Sequence, residues 1–328
     1  MSIDSPPDEL AADVRGSWFR FIATYEPLRP ELYRYCRYLT RSPWDAEDLA
    51  QDTMARAFVT LGRMGTLPEH PRAWLLRVAS NLWIDRARRE RPAVGSHEPP
   101  TSTEPGDPRA SREAAGTLLA QLSPQERAAV VLKDVFDLSL DEVASALGTT
   151  PGAVKAALHR GRGRLAGPSD DHAVTRVAPP PALDAFCAAF NARDLDRLTA
   201  LLLDTVTVDV VGMTTAQGPD GARREILPGM LFGSAFLATL PIAQGALPTP
   251  PRAELRAHRD EWLMLLWYAH TDGEAVRAIN RVHLEEGRIA QLANYFYNPD
   301  LIAEVCRELG IPSRGNGYAV APCAPEAR

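Results

Sequence analysis

The segment Pro151–Leu165, PGAVKAALHRGRGRL, carries Lys155, His159, Arg160, Arg162 and Arg164 and not one acid. Taken as a helix at 100° per residue, it places Val154, Ala157, Leu158, Gly161 and Leu165 on one face. Lys155, His159 and Arg162 share a second face, and Arg160 and Arg164 lie on the other side of the apolar stripe. Basic groups with no competing carboxylate can hold phosphates and reach base edges in a major groove. Upstream, Leu140–Leu147 is amphipathic, Ser139 can cap it, and Gly148 breaks it. Thr150 is an N-cap candidate, with Pro151 at the first helical position, which Pro favours. The order is that of a helix-turn-helix. Such geometry also occurs away from DNA; the all-basic second helix favours DNA.

A second cluster closes the stretch PRAWLLRVASNLWIDRARRERP. Arg77, Arg86, Arg88, Arg89 and Arg91 stand against Asp85 and Glu90, beside Asn81 and Trp83. Arginines at a helix C-terminus suit the macrodipole. A guanidinium cluster beside aromatic and amide groups also holds phosphates and splayed bases. Composition leaves these two readings level, as it does for Asn81, which could pack between helices. A third cluster is acidic. On a helix over residues 45–58, Ala46, Leu49, Ala50, Thr53 and Ala57 form a core stripe, and Asp45, Asp48 and Asp52 a separate one. That acidic stripe is either a solvated face or a docking face for a basic partner.

The elements that must position these groups follow from the rest of the chain. Residues 18–91 read as helical, with apolar residues at helical spacing in LYRYCRYLT and DAEDLAQDTMARAFVTL. Residues 111–166 are also helical, opened by Ser123-Pro124. Residues 182–310 are mixed: a helix (ALDAFCAAFNARDLDRLTALLL), a strand (TVTVDVVG), strand-like runs at Trp262–Tyr268, Ala275–His283 and Ile289–Tyr297, a Glu286-Gly287 turn, and a last helix over Leu301–Leu309. Pro-rich tethers at 92–110 and 167–181 separate the blocks, residues 1–17 read as flexible, and 311–328 as a loose tail.

Composition bounds the class. The 328 residues carry a formal net charge of −6, 45% hydrophobic and 24% charged residues, as in ordinary globular chains. The acidity is unevenly placed: residues 1–170 hold 22 positive and 23 negative charges, and residues 171–328 hold 14 and 19. An average over opposed patches therefore says little about nucleic-acid binding. No apolar run approaches the length of a membrane span, and the acidic N-terminus is unlike a secretory signal. Cys36, Cys187, Cys306 and Cys323 show no metal or disulfide spacing, so a reducing cytoplasm and no metal or cofactor are expected.

In order, YEPLRPELYRYCRYLTRSPWDAEDLAQDTMARAF, WLLRVASNLWIDRARR and LSPQERAAVVLKDVFDLSLDEVASALGTTPGAVKAALHRGRGRL resemble regions 2.1–2.2, 2.3–2.4 and 4 of extracytoplasmic-function (ECF) sigma factors of bacterial RNA polymerase. The resemblance implies two all-α domains, sigma region 2 and a region 4 helix-turn-helix. It implies that Asp45, Asp48, Gln51 and Asp52 dock on core RNA polymerase. It implies that Asn81, Trp83, Asp85, Arg86, Arg88 and Arg89 hold the start-proximal promoter element and its opened strand. Lys155, His159, Arg160, Arg162 and Arg164 would read the upstream element. The partners implied are core polymerase and promoter DNA, in the cytoplasm at the nucleoid.

The third block resembles a SnoaL-like α+β cone, on its initial helix, the strand VTVDVVG and the closing strands. YFYNPDLIAEV is similar to the Asn-Pro-Asp motif of sigma factors with such an extension, which makes Asn298, Pro299 and Asp300 a candidate regulatory contact with the sigma domains. Polar and aromatic candidates for a pocket are Asp209, Trp262, Trp267, Tyr268, His270, Asn280, His283, Asn294 and Tyr297. Asp209 and His270 are the pair that could move a proton, given a short separation. Strand residues alternate faces, so such a pair depends on register. The competing reading makes this domain a ligand sensor or a cyclase- or isomerase-like enzyme targeted by the DNA-binding part.

Overall fold

The computed structural model describes residues 16–18, 20–22, 24–64, 68–90, 119, 122–165, 178–232 and 250–318. It divides into two compact units, Met1–His172 and Ala173–Arg328. The first tether and the second as far as residue 177 lie outside the described residues, as do the start of the chain as far as residue 15, Arg91, Cys323 and the last ten residues.

The first unit is helical: α1 (Arg29–Thr40), α2 (Pro43–Met64), α3 (Pro71–Glu90), α4 (Pro124–Val130), α5 (Leu140–Leu147) and α6 (Pro151–Leu165). The stripe Ala46, Leu49, Ala50, Thr53 and Ala57 is buried, as its periodicity requires. Beneath it the periodicity hides a charge. Arg29 of α1 and Glu47 of α2 are both buried and ion-paired, and Gln51 Nε2 donates to Glu47 Oε1 at 3.0 Å. Tyr35 and Ser80 hydroxyls lie 2.7 Å apart and tie α1 to α3.

Helices α4 and α5 each open with a reciprocal capping box, Ser123 with Glu126 and Ser139 with Glu142. After Val130 the helix widens into one π turn over Val131–Val135, where Phe136 N donates to Val131 O at 3.1 Å. This turn carries Phe136 against α1. Its ring meets Tyr35 edge-on at 5.5 Å, and the Arg34 guanidinium lies 5.4 Å from its centre. The two helical blocks that the sequence separates thus pack into one unit.

The second unit holds α7 (Pro181–Asn191), α8 (Leu195–Ala200), β1 (Leu202–Val210), β2 (Thr214–Gln217), α9 (Gly218–Glu225), α10 (Leu227–Phe232), β3 (Arg252–His258), β4 (Glu261–His270), β5 (Gly273–Glu285), β6 (Arg288–Tyr295) and α11 (Pro299–Leu309). The six strands form one sheet in the order β2-β1-β6-β5-β4-β3, with β1 and β6 parallel and the other pairs antiparallel. Phe186 and Phe190 of α7, Ala222 of α9 and Leu227, Met230 and Leu231 of α10 share a core with one face of the sheet. The predicted Glu286-Gly287 turn joins β5 to β6, both residues at positive φ.

Three expectations are corrected here. The opening helix is two helices: Arg193 takes φ 59° and Asp194 caps α8, its Oδ1 accepting from Arg197 N at 2.9 Å. Asn191 closes α7 by exchanging two hydrogen bonds with the Ala253 backbone, at 2.7 and 3.0 Å. The sheet also gains β2 and β3, whose sequences lack a clean apolar alternation. The tail is docked as far as Tyr318. Ser313 bridges Val276 in parallel, Asn316 Nδ2 donates to the Arg277 and Phe296 carbonyls, and Tyr318 donates to Asp300. That stretch of β5 precedes its pairing with β6, which starts at Ile279, so its open edge is what the tail covers.

Helix α11 is held to the β3–β4 hairpin by Glu308, whose Oε2 lies 2.7 Å from Nε2 of buried His258 and whose Oε1 accepts from Arg259 at 2.9 Å. Partial burial pushes this carboxyl up, but the His258 and Arg259 hydrogen bonds outweigh it and bring it down to about 2. A depressed carboxyl stabilises the fold above its ordinary value of 4.5, and that contribution disappears as pH falls towards 2. Glu308→Gln is therefore expected to melt below the wild type at pH 7, with the gap closing between pH 4.5 and 2. A gap independent of pH in thermal scans would count against this linkage.

Candidate nucleic-acid interface

Helix α6 rests on α4 and α5 through Val154, Ala157, Leu158 and Gly161, all buried. Gly161 is required by a close approach, since a Cβ there would lie 2.9 Å from Val130 Cγ2. Gly148 takes φ 60° in the turn, and Thr150 Oγ1 accepts from Ala153 N at 3.2 Å. The exposed face then sorts the basic residues. Arg160 Nε donates to Glu126 Oε1 at 2.9 Å, and Arg162 makes two hydrogen bonds to Asp134, at 2.5 and 3.0 Å. Lys155 and His159 are exposed and have no such tie among the described residues. The side chain of Arg164 lies outside the described residues, as does that of Leu165. Two arginines are thus anchored to their own scaffold, and two basic groups point freely outward.

The candidates on α3 do not form one face. Asn81, Asp85, Arg88 and Arg89 are exposed, with Arg88 3.5 Å from Asp85 and Arg89 Nε donating to the Asp85 carbonyl at 3.2 Å. The exposure of Asn81 removes the packing-amide reading. Trp83 is turned inward. Its indole N–H is buried without an acceptor, and the Arg127 guanidinium of α4 sits 5.6 Å from its ring. Arg127 is itself buried and donates to the Leu39 carbonyl at 2.5 Å. Burial and nearby Arg41 lower it to about 10, still a cation at neutral pH. In this arrangement the aromatic ring expected to meet an opened strand is capped by the helix-turn-helix block.

Asp45, Asp48 and Asp52 are exposed along α2, while Gln51 is half-buried over Glu47. Partial desolvation by the surrounding structure, then the negative charge of Asp45, pushes Asp48 up to about 6, against the pull of Arg86 on α3. The acidic face and the arginine end of α3 are therefore electrostatic neighbours.

Sequence profiles of Sigma-70 region 2 and of Sigma-70, region 4 match residues 24–92 and 112–165. The ECF RNA polymerase sigma factor SigJ of Mycobacterium tuberculosis is 30% identical over 289 residues, covering 75% of this chain and 90% of its own length. The chain belongs to the ECF sigma factor family. Three quarters of the chain exceeds the helical unit, so the likeness to SigJ runs into the α+β unit. SigG of the same organism is 34% identical over 233 residues, which is 60% of this chain and 60% of SigG. The crystal structure of SigJ aligns with 86% of this chain and 98% of its own at 26% identity and a TM-score of 0.32. In family terms, α1–α3 are region 2 and α4–α6 are region 4.

The α+β unit does not bring Asp209 and His270 together. Asp209 alternates with the core residues Val208 and Val210, so it faces away from the core, and its Oδ1 accepts from Thr215 at 2.6 Å. His270 ends β4, on the far side of β6 and β5. Burial, then Arg314 and Arg277, lower its pKa. A proton relay through this pair has no geometric basis. Of the other pocket candidates, Trp267 points to the opposite face, under the Arg252 guanidinium at 4.8 Å, and His283 is exposed. Asn280 and Asn294 are buried on the core face. Sequence reading missed Arg127, Glu126 and Asp134; their spacing to α3 and α6 is tertiary, and only the capping box at Ser123 marked the segment.

Asn298 is buried, Pro299 packs against Gly315, and Asp300 accepts from Tyr318. The Asn-Pro-Asp segment is thus clasped by its own unit's tail.

Proposed function

We propose that the protein is a sigma factor that binds core RNA polymerase, recognises a promoter through two elements and supports its opening, with the α+β unit modulating that activity. The observation that carries this reading is the sorted surface of the helical unit. An acidic stripe on α2, an arginine-rich end of α3 and free Lys155 and His159 on α6 lie on separate helices of one body. Opposed patches of this kind suit simultaneous contact with a polymerase and with DNA. The start-proximal element belongs to Asn81, Asp85, Arg86, Arg88 and Arg89, with Trp83 joining once Arg127 moves off its ring. The upstream element belongs to Lys155 and His159, with Arg160, Arg162 and Arg164 towards phosphates. Asp45, Asp48, Gln51 and Asp52 take the polymerase. The bond-forming chemistry is the polymerase's, and the site of action is the cytoplasm, at the nucleoid. Asn298, Pro299 and Asp300 would touch the sigma domains when Tyr318 lets go.

Run-off transcription with purified core polymerase over the genomic promoters tests the reading. The expected result is promoter-specific transcript that needs this protein and is lost in Asp45→Arg/Asp48→Arg. Transcript absent on every promoter, or undiminished in the double variant, refutes it.

A further inference from the structure

A guanidinium carries its N–H donors in one plane, and Asp134 takes two of those of Arg162 along a single edge. Nε donates to Oδ2 at 3.0 Å and Nη2 to Oδ1 at 2.5 Å. The outer edge, made of Nη1 and the second Nη2 hydrogen, meets no acceptor among the described residues, and the Arg162 side chain is still 55% exposed. Asp134 belongs to the π turn that follows α4. Arg160 repeats the arrangement from the other flank of α6: its Nε donates to Glu126 of α4 at 2.9 Å, and its side chain is 56% exposed. Lys155 and His159, nearer the start of the helix, have no such partner among the described residues. Carboxylates of the preceding helical segment thus stand behind two arginines of the C-terminal half of α6, each holding a guanidinium by its inner side.

We propose that Asp134 is a positioning residue for DNA binding: it holds Arg162 by the inner edge so that the outer edge meets a backbone phosphate already ordered. This rests on the reading of α6 as the helix that meets the upstream element, and adds an acid to a surface otherwise made of bases. Two effects of Asp134 oppose each other. Its charge repels a phosphate, but that phosphate stands across the guanidinium, about a Debye length away at physiological salt, so the repulsion is largely screened. Its hydrogen bonds remove rotamer freedom that a loose arginine would lose on contact, and salt does not screen that gain. The second effect therefore prevails. Arg162 lies about 10 Å along the axis from Lys155, beyond the N-terminal half that reaches base edges, where the flanking backbone runs. A contact there sets how α6 lies in the groove and leaves base choice to other side chains.

The test is fluorescence anisotropy of the full chain on a short mixed-sequence DNA duplex, with Asp134→Ala, Arg162→Ala and the double variant compared over a range of salt. Asp134→Ala takes a negative charge off a DNA-facing surface, yet it should weaken binding about three- to tenfold, the cost of ordering one long side chain. Arg162→Ala should weaken it further and make the salt slope shallower by about one, because a phosphate contact is gone. In the Arg162→Ala background, removing Asp134 should no longer weaken binding and should tighten it at low salt, where only repulsion is left to lose. An ion pair that merely tethered α6 would leave the two single variants equally weak, both with the native salt slope. Should Asp134→Ala lose its helical circular dichroism, Asp134→Asn, which keeps the shape and drops the charge, takes its place with a loss in the same direction. Unchanged or tighter binding by the Asp134 variant, or an Arg162→Ala chain that matches it in affinity and keeps the native slope, overturns the positioning role and leaves the reading of α6 standing. Absence of salt-dependent binding by the native chain overturns that reading and this inference with it.

Discussion

Glu47→Ala is expected to lower the stability of the helical unit by about 3–5 kcal/mol, the cost of leaving a buried charge without its partner. Arg29 and Glu47 are 7% and 1% exposed, so Arg29 cannot recover hydration when the carboxylate goes. Gln51 loses its acceptor in the same step. Against a total of about 5–15 kcal/mol for a typical domain, this removes a large share. Arg29→Met/Glu47→Leu should recover most of it, because an apolar pair of similar volume has no charge to desolvate. Urea unfolding followed by near-ultraviolet circular dichroism measures both. A cost below about 1 kcal/mol for Glu47→Ala would show that the pair is not an anchor. The same variants separate two routes to lost transcription. Glu47→Ala acts by loosening the helix that carries Asp45, Asp48 and Asp52, whereas Asp48→Arg acts by charge at an exposed position and should leave unfolding nearly unchanged.

Lys155→Glu is expected to weaken binding to the upstream promoter element by about 1–3 kcal/mol, roughly tenfold to a hundredfold, while unfolding shifts by no more than about 0.5 kcal/mol. Lys155 is exposed beside His159 and has no hydrogen bond or ion pair to lose among the described residues. Arg162→Ala has a different signature, because its two hydrogen bonds tie α6 to Asp134 at the π turn. It should cost stability as well as affinity. Fluorescence anisotropy on a promoter duplex at several salt concentrations reads both effects, with a shallower salt slope when a phosphate contact is lost. An unchanged affinity and slope for Lys155→Glu would move the reading face elsewhere on the helix.

Much of this was legible before any coordinates. The stripe on α2, the capping serines, the Gly148 break and the inward face of α6 are all one-dimensional patterns, set by neighbours three or four residues apart. What was not legible is tertiary. Nothing in the spacing of Arg29 and Glu47 announces a buried pair across two helices. Nothing near Trp83 announces Arg127, which comes from beyond a long tether. In the α+β unit the pocket candidates were named as a set, and only register could sort them. Asn280 and Asn294 prove to be opposite one another, while Asp209 lies on the other face and His270 lies three strands across from it. The tail was misread because Gly315, Asn316 and Gly317 look like loop residues, yet Ser313 bridges Val276 and Asn316 donates to the Arg277 carbonyl on the open edge of β5.

The parallel pairing of β1 with β6 has a consequence in the order of synthesis. Val208 waits for Leu292 before the middle of the sheet can close, with α9, α10 and four further strands made in between. Contacts of such long sequence separation form slowly, and domains fold as units from the N-terminal end. The helices of the first unit are complete while the sheet is still an unpaired β1–β2 hairpin. Each new molecule thus passes through an interval in which the helical unit is folded and the α+β unit is not.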